Sequence, residues 1–383
     1  MRGLAVVGVL IVLVLSAGCL GAIGVEVETE TSTPDDGTGG STGFDGEIGA
    51  NASLEPVDAE LSVHYIDVGQ ADATFVRGPE NETMLIDTGH WNDGGETVIQ
   101  YLEARGVERI DYMVSTHAHA DHIGGSAEVI HHFETEREGI GSVWDSGVPH
   151  TSATYEDYLD AIEEHDVDLY QTQADDQIPM EGATVEVLNP PIDHGDENLD
   201  ANAVVIRIGY GDAGFLFTGD MTTETEDDLV DRWGSDLQSS VYQAGHHGSS
   251  TSSAPEFVDT VAPRLAIVSS AYDSQYGHPH EEVLARFADR GIDTYWTGTH
   301  GTIVAGTDGD AVTISTVADA TTDPAELRSD PAVDEPATAP IEVRGTYDVG
   351  PDASGLIVPG PLASPSASAP TQPVSATAGG DSA

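Results

Sequence analysis

The residues of this chain best suited to chemistry crowd into one segment, Thr116-His117-Ala118-His119-Ala120-Asp121-His122-Ile123-Gly124-Gly125. Three imidazoles and a carboxylate fall within six positions, directly after an apolar run. Neutral imidazole and carboxylate together suit borderline divalent cations such as Zn²⁺. A loop this tight cannot easily wrap all four groups around one tetrahedral ion, but two ions can share it. His117 and His119 would hold one, and Asp121 and His122 the other. Three later segments also place ligand types at the exit of an apolar stretch: Thr218-Gly219-Asp220, Gly245-His246-His247-Gly248-Ser249-Ser250 and Tyr276-Gly277-His278-Pro279-His280. A carboxylate between two cations roughly 3.5–4 Å apart lowers their repulsion, and Asp220 suits that bridging place. The chemistry of such a centre is hydrolysis. A water bridging the ions would have its pKa lowered toward neutrality and attack as hydroxide, and the second ion would stabilise the developing oxyanion.

Catalytic groups at strand exits need a rigid frame behind them, because a sheet fixes geometry while its loops stay free to vary. Short β-like runs hold Val63, Tyr65 and Phe75, and Met84-Leu85-Ile86 is a compact apolar strand ending in Asp87-Thr88-Gly89. Ile110–Ser115 is a strand that delivers the histidine-rich loop. Further strands are expected at 185–188, 203–208, 215–217, near Val241 and at 265–269. Apolar residues at helical spacing, such as Val98, Tyr101 and Leu102, mark helices at 96–104, 155–164, 225–233, 254–261 and 281–290. A hairpin through Asp308-Gly309 closes the region. Interleaved strands and helices argue an α/β (α+β layered) domain, with boundaries at 59–320.

The segments HAHADHIGG, LIDTG, LFTGD and GHHGS resemble the metallo-β-lactamase superfamily. HYIDVGQADATFV, HHGSSTSS and YGHP are similar to the branch that holds the extracellular domain of ComEC-type competence proteins and the bacterial phosphorylcholine esterases. The resemblance runs from about Leu61 to Val317. It implies an αββα sandwich with a two-metal site at the sheet edge and two divalent ions as cofactors, Zn²⁺ or alternatively Mn²⁺. Carried over by residue, it implies His117, His119 and His246 on the first metal. Asp121, His122 and His278 would hold the second, with Asp220 bridging. Asp87 matches an aspartate that organises the metal loop by hydrogen bonding. Asp67, Gln70 and Asp72 match a D-V-G-Q-G-D opening in which Ala71 here replaces a glycine. Many superfamily members place a ligand histidine before the Gly-Asp motif. Here the stretch from Asp196 to Asn202 stands in its place, and Asn202 is expected as a supporting group; nearby His194 lacks the context of a ligand. Adjacent residues at a strand end point opposite ways. One of His246 and His247 is therefore expected to bind metal: His246 as ligand and His247 as supporting group or proton donor, with the reverse open. Asp121, Asp220 and His247 are the expected catalytic residues. Tyr276 and His280 fit either helix-start chemistry or substrate contact, and His90 fits a surface position.

Composition bounds the partners. The 383 residues carry 68 acidic and 12 basic side chains, all 12 of them arginine, for a net charge of −56. The 39% hydrophobic content is enough for a core. The acids are spread along the chain rather than held in a tail, so the whole molecule repels itself unless salt screens it. At about 1 M salt the Debye length is roughly 3 Å. A halophilic, and with its leader haloarchaeal, source is expected. Arg2 followed by the uncharged run from Leu4 to Leu15 has signal-peptide proportions. Cys19, the chain's one cysteine, follows small residues as in a lipoprotein cleavage site. We expect a leader over 1–25, a Thr/Gly/Ser-rich tether over 26–58 and a largely disordered Ala/Pro/Ser-rich tail over 321–383, with low-grade β content at Ile341–Val349. The protein would be exported and held to the membrane through Cys19 or an apolar anchor. With no lysine and no evident basic track, a small phosphoester is the preferred substrate, bound by the metals and one arginine such as Arg207. The leading expectation is thus a phosphodiesterase or phosphoesterase. A ComEC-type nuclease acting on extracellular DNA is the alternative, and a non-catalytic metal-binding surface protein the second.

Overall fold

The computed structural model describes residues 59–192 and 198–350. The expected leader with Cys19, the tether, His194 and the tail beyond 350 lie outside the described residues. The chain first lays down six strands of one sheet: β1 (Leu61–Tyr65), β2 (Thr74–Arg77), β3 (Thr83–Ile86), β4 (Ile110–Ser115), β5 (Ile140–Asp145) and β6 (Leu169–Gln171). It then builds a second sheet from β7 (Thr184–Asn189), β8 (Val205–Tyr210), β9 (Ala213–Phe217), β10 (Val241–Gln243), β11 (Leu265–Val268) and β12 (Asp293–Trp296). It returns to the first sheet with β13 (Ile303–Thr307), β14 (Ala311–Thr316) and β15 (Glu342–Asp348). The orders are β15-β14-β13-β1-β2-β3-β4-β5-β6 and β12-β11-β10-β9-β8-β7. Strands β3 to β6 run parallel, as do β9 to β12.

Side-chain alternation sorts the residues into layers. Val63, Tyr65, Met84, Ile86 and Val114 face Val187, Ile206, Phe215, Val241 and Ile267 in a core between the sheets. The residues between them, Phe75, Leu85 and Met113, point the other way, onto the apolar faces of helices Glu96–Ala104, Ser126–Glu136 and Ala153–His165. Leu216, Tyr242 and Ala266 do the same for helices Thr223–Trp233, Pro255–Val261 and Glu281–Ala288. The result is helix, sheet, sheet, helix, as the motifs imply. Among the described residues no helix is long and apolar enough to cross a membrane.

The expected boundary at 320 is corrected. Residues 321–350 belong to the fold: β15 pairs antiparallel with β14 along its length, and Leu327, Ile341 and Val349 are buried. The Ala- and Pro-rich composition hid this because single apolar residues, not a periodic run, supply the packing. Strands β5, β6 and β12 have no counterpart in the sequence reading: Gly141 and Ser142 interrupt the first, and the other two are short runs with polar residues, Gln171 and Asp293-Thr294, among their few positions. Burying a large aliphatic side chain contributes ~1.5–3 kcal/mol. A chain ending after Ala320 should therefore lose at least about 4 kcal/mol relative to one ending after Gly350, measured by denaturant unfolding at fixed high salt.

Candidate metal centre

Every segment with chemical potential leaves a strand at the same edge of the two sheets. Asp87 follows β3 in the left-handed region, at φ 57°. There its Oδ1 accepts the Thr116 N–H (2.8 Å) and its Oδ2 the Thr116 hydroxyl (2.7 Å). The same Oδ2 accepts from His122 Nδ1 at 2.8 Å. One buried carboxylate thus fixes both ends of the loop after β4. Asp72 N–H donates to the Asp121 carbonyl, and Thr88 N–H to that of His122. Gly124 and Gly125 allow this close approach: a Cβ on Gly124 would lie 2.0 Å from the Trp91 nitrogen, and one on Gly125 2.5 Å from the Gly95 Cα.

Asp220 follows β9 and is almost wholly buried. Its two oxygens face different neighbours. Oδ1 lies 3.1 Å from His122 Nε2 and 3.8 Å from His247 Nε2. Oδ2 lies 3.9 Å from His117 Nε2 and 3.4 Å from His246 Nε2. On the first side, Asp121 Oδ2 is 3.4 Å from His247 Nε2. On the second, His117 Nε2 and His119 Nδ1 are 2.9 Å apart, and Asp200 Oδ1 stands 3.3 Å from His119 Nδ1. Donor atoms around one tetrahedral zinc ion are spaced by roughly 3.4 Å, from bonds of about 2.1 Å.

The donor set fits two divalent cations. His122 Nε2, His247 Nε2, Asp220 Oδ1 and Asp200 Oδ1 are buried without a hydrogen-bond partner among the described residues, although they converge. Asp220 belongs to two groups of mutually close ligand atoms, one with Asp72, His122 and His247 and one with His117 and His119. The electrostatics mark a site that draws cations, with protons on His122 and His247 that a metal would displace. Burial penalises ionised Asp220, yet the His122 and His247 imidazoles overcome it and hold the carboxyl well below its usual range. Burial likewise opposes protonation of His122 and His247, but the Asp220 carboxylate, helped by Asp87 at one and Asp72 at the other, raises both well above the ordinary histidine range. Burial and the neighbouring His122 keep His117 neutral, in the state that binds metal.

The arrangement departs from the sequence expectations in four places. His246 and His247 both face Asp220, because they form a left-handed turn (φ 52° and 55°) rather than a strand end, so the alternation argument does not apply. The His246 N–H, bonded to the Gly219 carbonyl, pins that turn to the Asp220 loop. His247, with Nδ1 donating to the Ser269 carbonyl and 3.6 Å from Asp72, turns Nε2 inward beside Asp121. His278, expected there, belongs to neither group of converging ligand atoms; it is buried with its ring 6.3 Å from that of His247 and its Nδ1 accepting from the Gln70 amide. Asp200 reaches the place of the missing histidine; its position before the Gly-Asp motif was the available signal, obscured by the acids around it. Arg207 is buried in the second sheet, where it donates to the Gln238 carbonyl and pairs with Glu186, so it cannot serve the cleft.

The supporting residues act on loops. Asp67 accepts the Gly69 N–H, and burial lifts its pKa to about 6. Asn202 donates to the Asn198 carbonyl and closes the turn that carries Asp200. His90 receives the Asn92 N–H and is absent from the lining of the cleft. That cleft, about 400 Å³, is bounded by His119, Asp121, Asp220, His246, His247 and His278, with Gln70, Ser249, Tyr276 and His280 completing its wall.

A family model described as the metallo-beta-lactamase superfamily matches residues 66–271, just over half the chain. The chain is 31% identical over 249 residues to the competence protein ComA of Neisseria gonorrhoeae, covering 64% of this chain and 32% of that protein. It is 28% identical over 264 residues to the ComE operon protein 3 of Bacillus subtilis (strain 168), covering 64% and 33%. The chain therefore spans about a third of the length of these relatives. Among solved structures it is similar to the diiron β-hydroxylase CmlA of Streptomyces venezuelae (17% identity, 66% of this chain and 55% of that one, TM-score 0.44). It is also similar to YhfI of Bacillus subtilis (12% identity, 59% and 92%, TM-score 0.41).

Metal content and stability test the site together. Saturation with Zn²⁺ or Mn²⁺ at 100 times Kd should stabilise the wild type by about 2.7 kcal/mol, read as a rise in Tm. Asp220→Ala should bind less than one ion and lose the rise. Asp87→Asn, which no longer holds His122 as an ionised acceptor, should weaken metal binding ~10–100-fold in a chelator competition.

Proposed function

The chain belongs to the metallo-beta-lactamase superfamily, and we propose that within it this molecule is an exported two-metal phosphodiesterase or phosphoesterase. The observation that carries the reading is the division of the buried Asp220 carboxylate between two sets of imidazoles. His117, His119, Asp200 and Asp220 would hold one ion, and Asp121, His122, Asp220 and His247 the other. When bound, such ions supply an activated water and neutralise charge on an in-line phosphoryl displacement. The chain's own groups do the positioning. Asp87 holds His122 by Nδ1, and Asp72 with the Ser269 carbonyl holds His247 by Nδ1, leaving Nε2 of each for the centre. His246 stands partly exposed on the cleft wall, within reach of a leaving group that needs a proton.

The absence of arginine and lysine from the cleft wall supports a substrate whose anion is met by metal rather than by a basic track. A nuclease is the second reading, favoured by the competence proteins among the relatives. Salt in the molar range weakens backbone repulsion and makes it compatible with a charge of −56. We read the leader as directing export, with Cys19 as the attachment point: Cys19→Ala should move the protein from membranes to the medium, followed by immunoblot of the two fractions.

The enzymatic reading is tested at molar salt on bis-(p-nitrophenyl) phosphate and single-stranded DNA, with Zn²⁺ or Mn²⁺. Wild type should exceed Asp121→Ala by at least about 100-fold in kcat/KM, because an interaction at the reacting centre is lost. Equal rates on every ester would sink it.

A further inference from the structure

Four large apolar side chains are strongly exposed among the described residues: Trp91, Ile192, Tyr276 and Val343. Of these, only Tyr276 lines the cleft, where it is 58% exposed. An aromatic ring left in water at the edge of a cleft lined by ligand-type side chains invites a partner. Its backbone is held in place. The Tyr276 N–H donates to Ser274 Oγ, and its carbonyl accepts from His280 Nε2. Arg328 donates through Nη2 to the carbonyls of Gly277 and Pro279, both at 2.6 Å, while its guanidinium lies 5.5 Å from the Trp296 ring centroid. The Tyr276 ring is 5.6 Å from that of His278, which is 5.9 Å from that of His246. A single ring is therefore offered to solvent from a braced loop, one imidazole away from the residues around Asp220.

We propose that Tyr276 is a specificity-determining residue, a platform on which a planar ring attached to the scissile phosphoester stacks, so that nucleoside-type esters are preferred over aliphatic ones. The proposal rests on the phosphoester reading of the same cleft. Each of the eleven described arginines has a carboxylate, carbonyl or aromatic partner, none lines the cleft, and the chain has no lysine. The cleft wall therefore offers no arginine or lysine to grip the rest of the substrate. Stacking can grip it, because every base has a π-face and the contact needs no basic group. It also survives molar salt, which screens ionic contacts. One exposed ring suits a flat partner, whereas capture of a quaternary ammonium uses a cage of several aromatic faces.

The test compares thymidylyl-thymidine with its abasic counterpart, which has the same phosphate and sugars but no rings, on the metal-loaded full chain at molar salt. Base–aromatic stacking predicts that wild type favours the base-bearing diester by about 10-fold in kcat/KM, expressed in KM. Tyr276→Phe should keep that preference. Tyr276→Ala should bring the ratio close to one, with metal content unchanged. In parallel, calorimetry should show thymidine monophosphate binding more tightly than deoxyribose phosphate, and Tyr276→Ala should erase the difference. If the diesters are hydrolysed but Tyr276→Ala leaves both ratios intact, the platform is overturned and the phosphodiesterase reading stands. If neither diester is cleaved yet the Tyr276-dependent binding difference persists, the platform stands and the phosphodiesterase reading falls. Absence of any base preference in both measurements overturns the platform, as does tighter binding of phosphorylcholine than of thymidine monophosphate.

Discussion

A buried carboxylate shared between two clusters of imidazoles dictates much of what surrounds it. An isolated ionised carboxylate in a protein interior is prohibitively unfavourable unless paired. Asp220 therefore needs cationic or metal partners on both sides, and the imidazoles that face it converge from the loops after β4 and β10. Two sheets whose parallel strands end at one edge are a frame that can deliver them. The backbone is bent to the same end. Asp87, His246 and His247 all adopt left-handed conformations, each costing about 1–3 kcal/mol for a non-glycine residue. Such strain persists where surrounding contacts over-determine it, and all three residues border Asp220 or the imidazoles that face it.

The histidine-rich loop was legible because its ligand types sit close together in the chain, right after an apolar strand. Asp220 was legible for a related reason: a lone carboxylate after Phe215-Leu216-Phe217 has little to do but serve the strand's end. Asp200 was obscured because acids are common throughout this sequence, so one more conveys little until a contact is seen. The roles of His246 and His247 turned on φ angles, which adjacent identical side chains do not reveal. His278 was read from its motif, while its place beside Gln70 and outside both ligand groups is set by how far the loop after β11 reaches. The αββα layering followed from alternation in strands such as Val63-His64-Tyr65, whereas β15 depends on pairing with a distant strand and left little local trace.

The extreme acidity has a structural counterpart in how cations are used. Arg137 pairs with Glu103, Arg290 with Asp259 and Arg344 with Glu342, while Arg286 donates to the carbonyls of Ser252 and Ser253 next to the His246 turn. Guanidinium groups here tie loops and helices to one another. The cleft wall is lined instead by imidazoles, hydroxyls and carboxylates. Charge of one sign over the surface is compatible with paired charges in the cleft, because screening acts on exposed charges far more than on buried ones.

Arg328 joins the loop of Tyr276 to a part of the chain that lies beyond the family match, which ends at residue 271. The groups around Asp220 thus come from one stretch of sequence, and the loop of Tyr276 with its brace from the next. That second stretch is no appendage: it also supplies β12 to β15, so the same residues that shape the mouth of the cleft close both sheets.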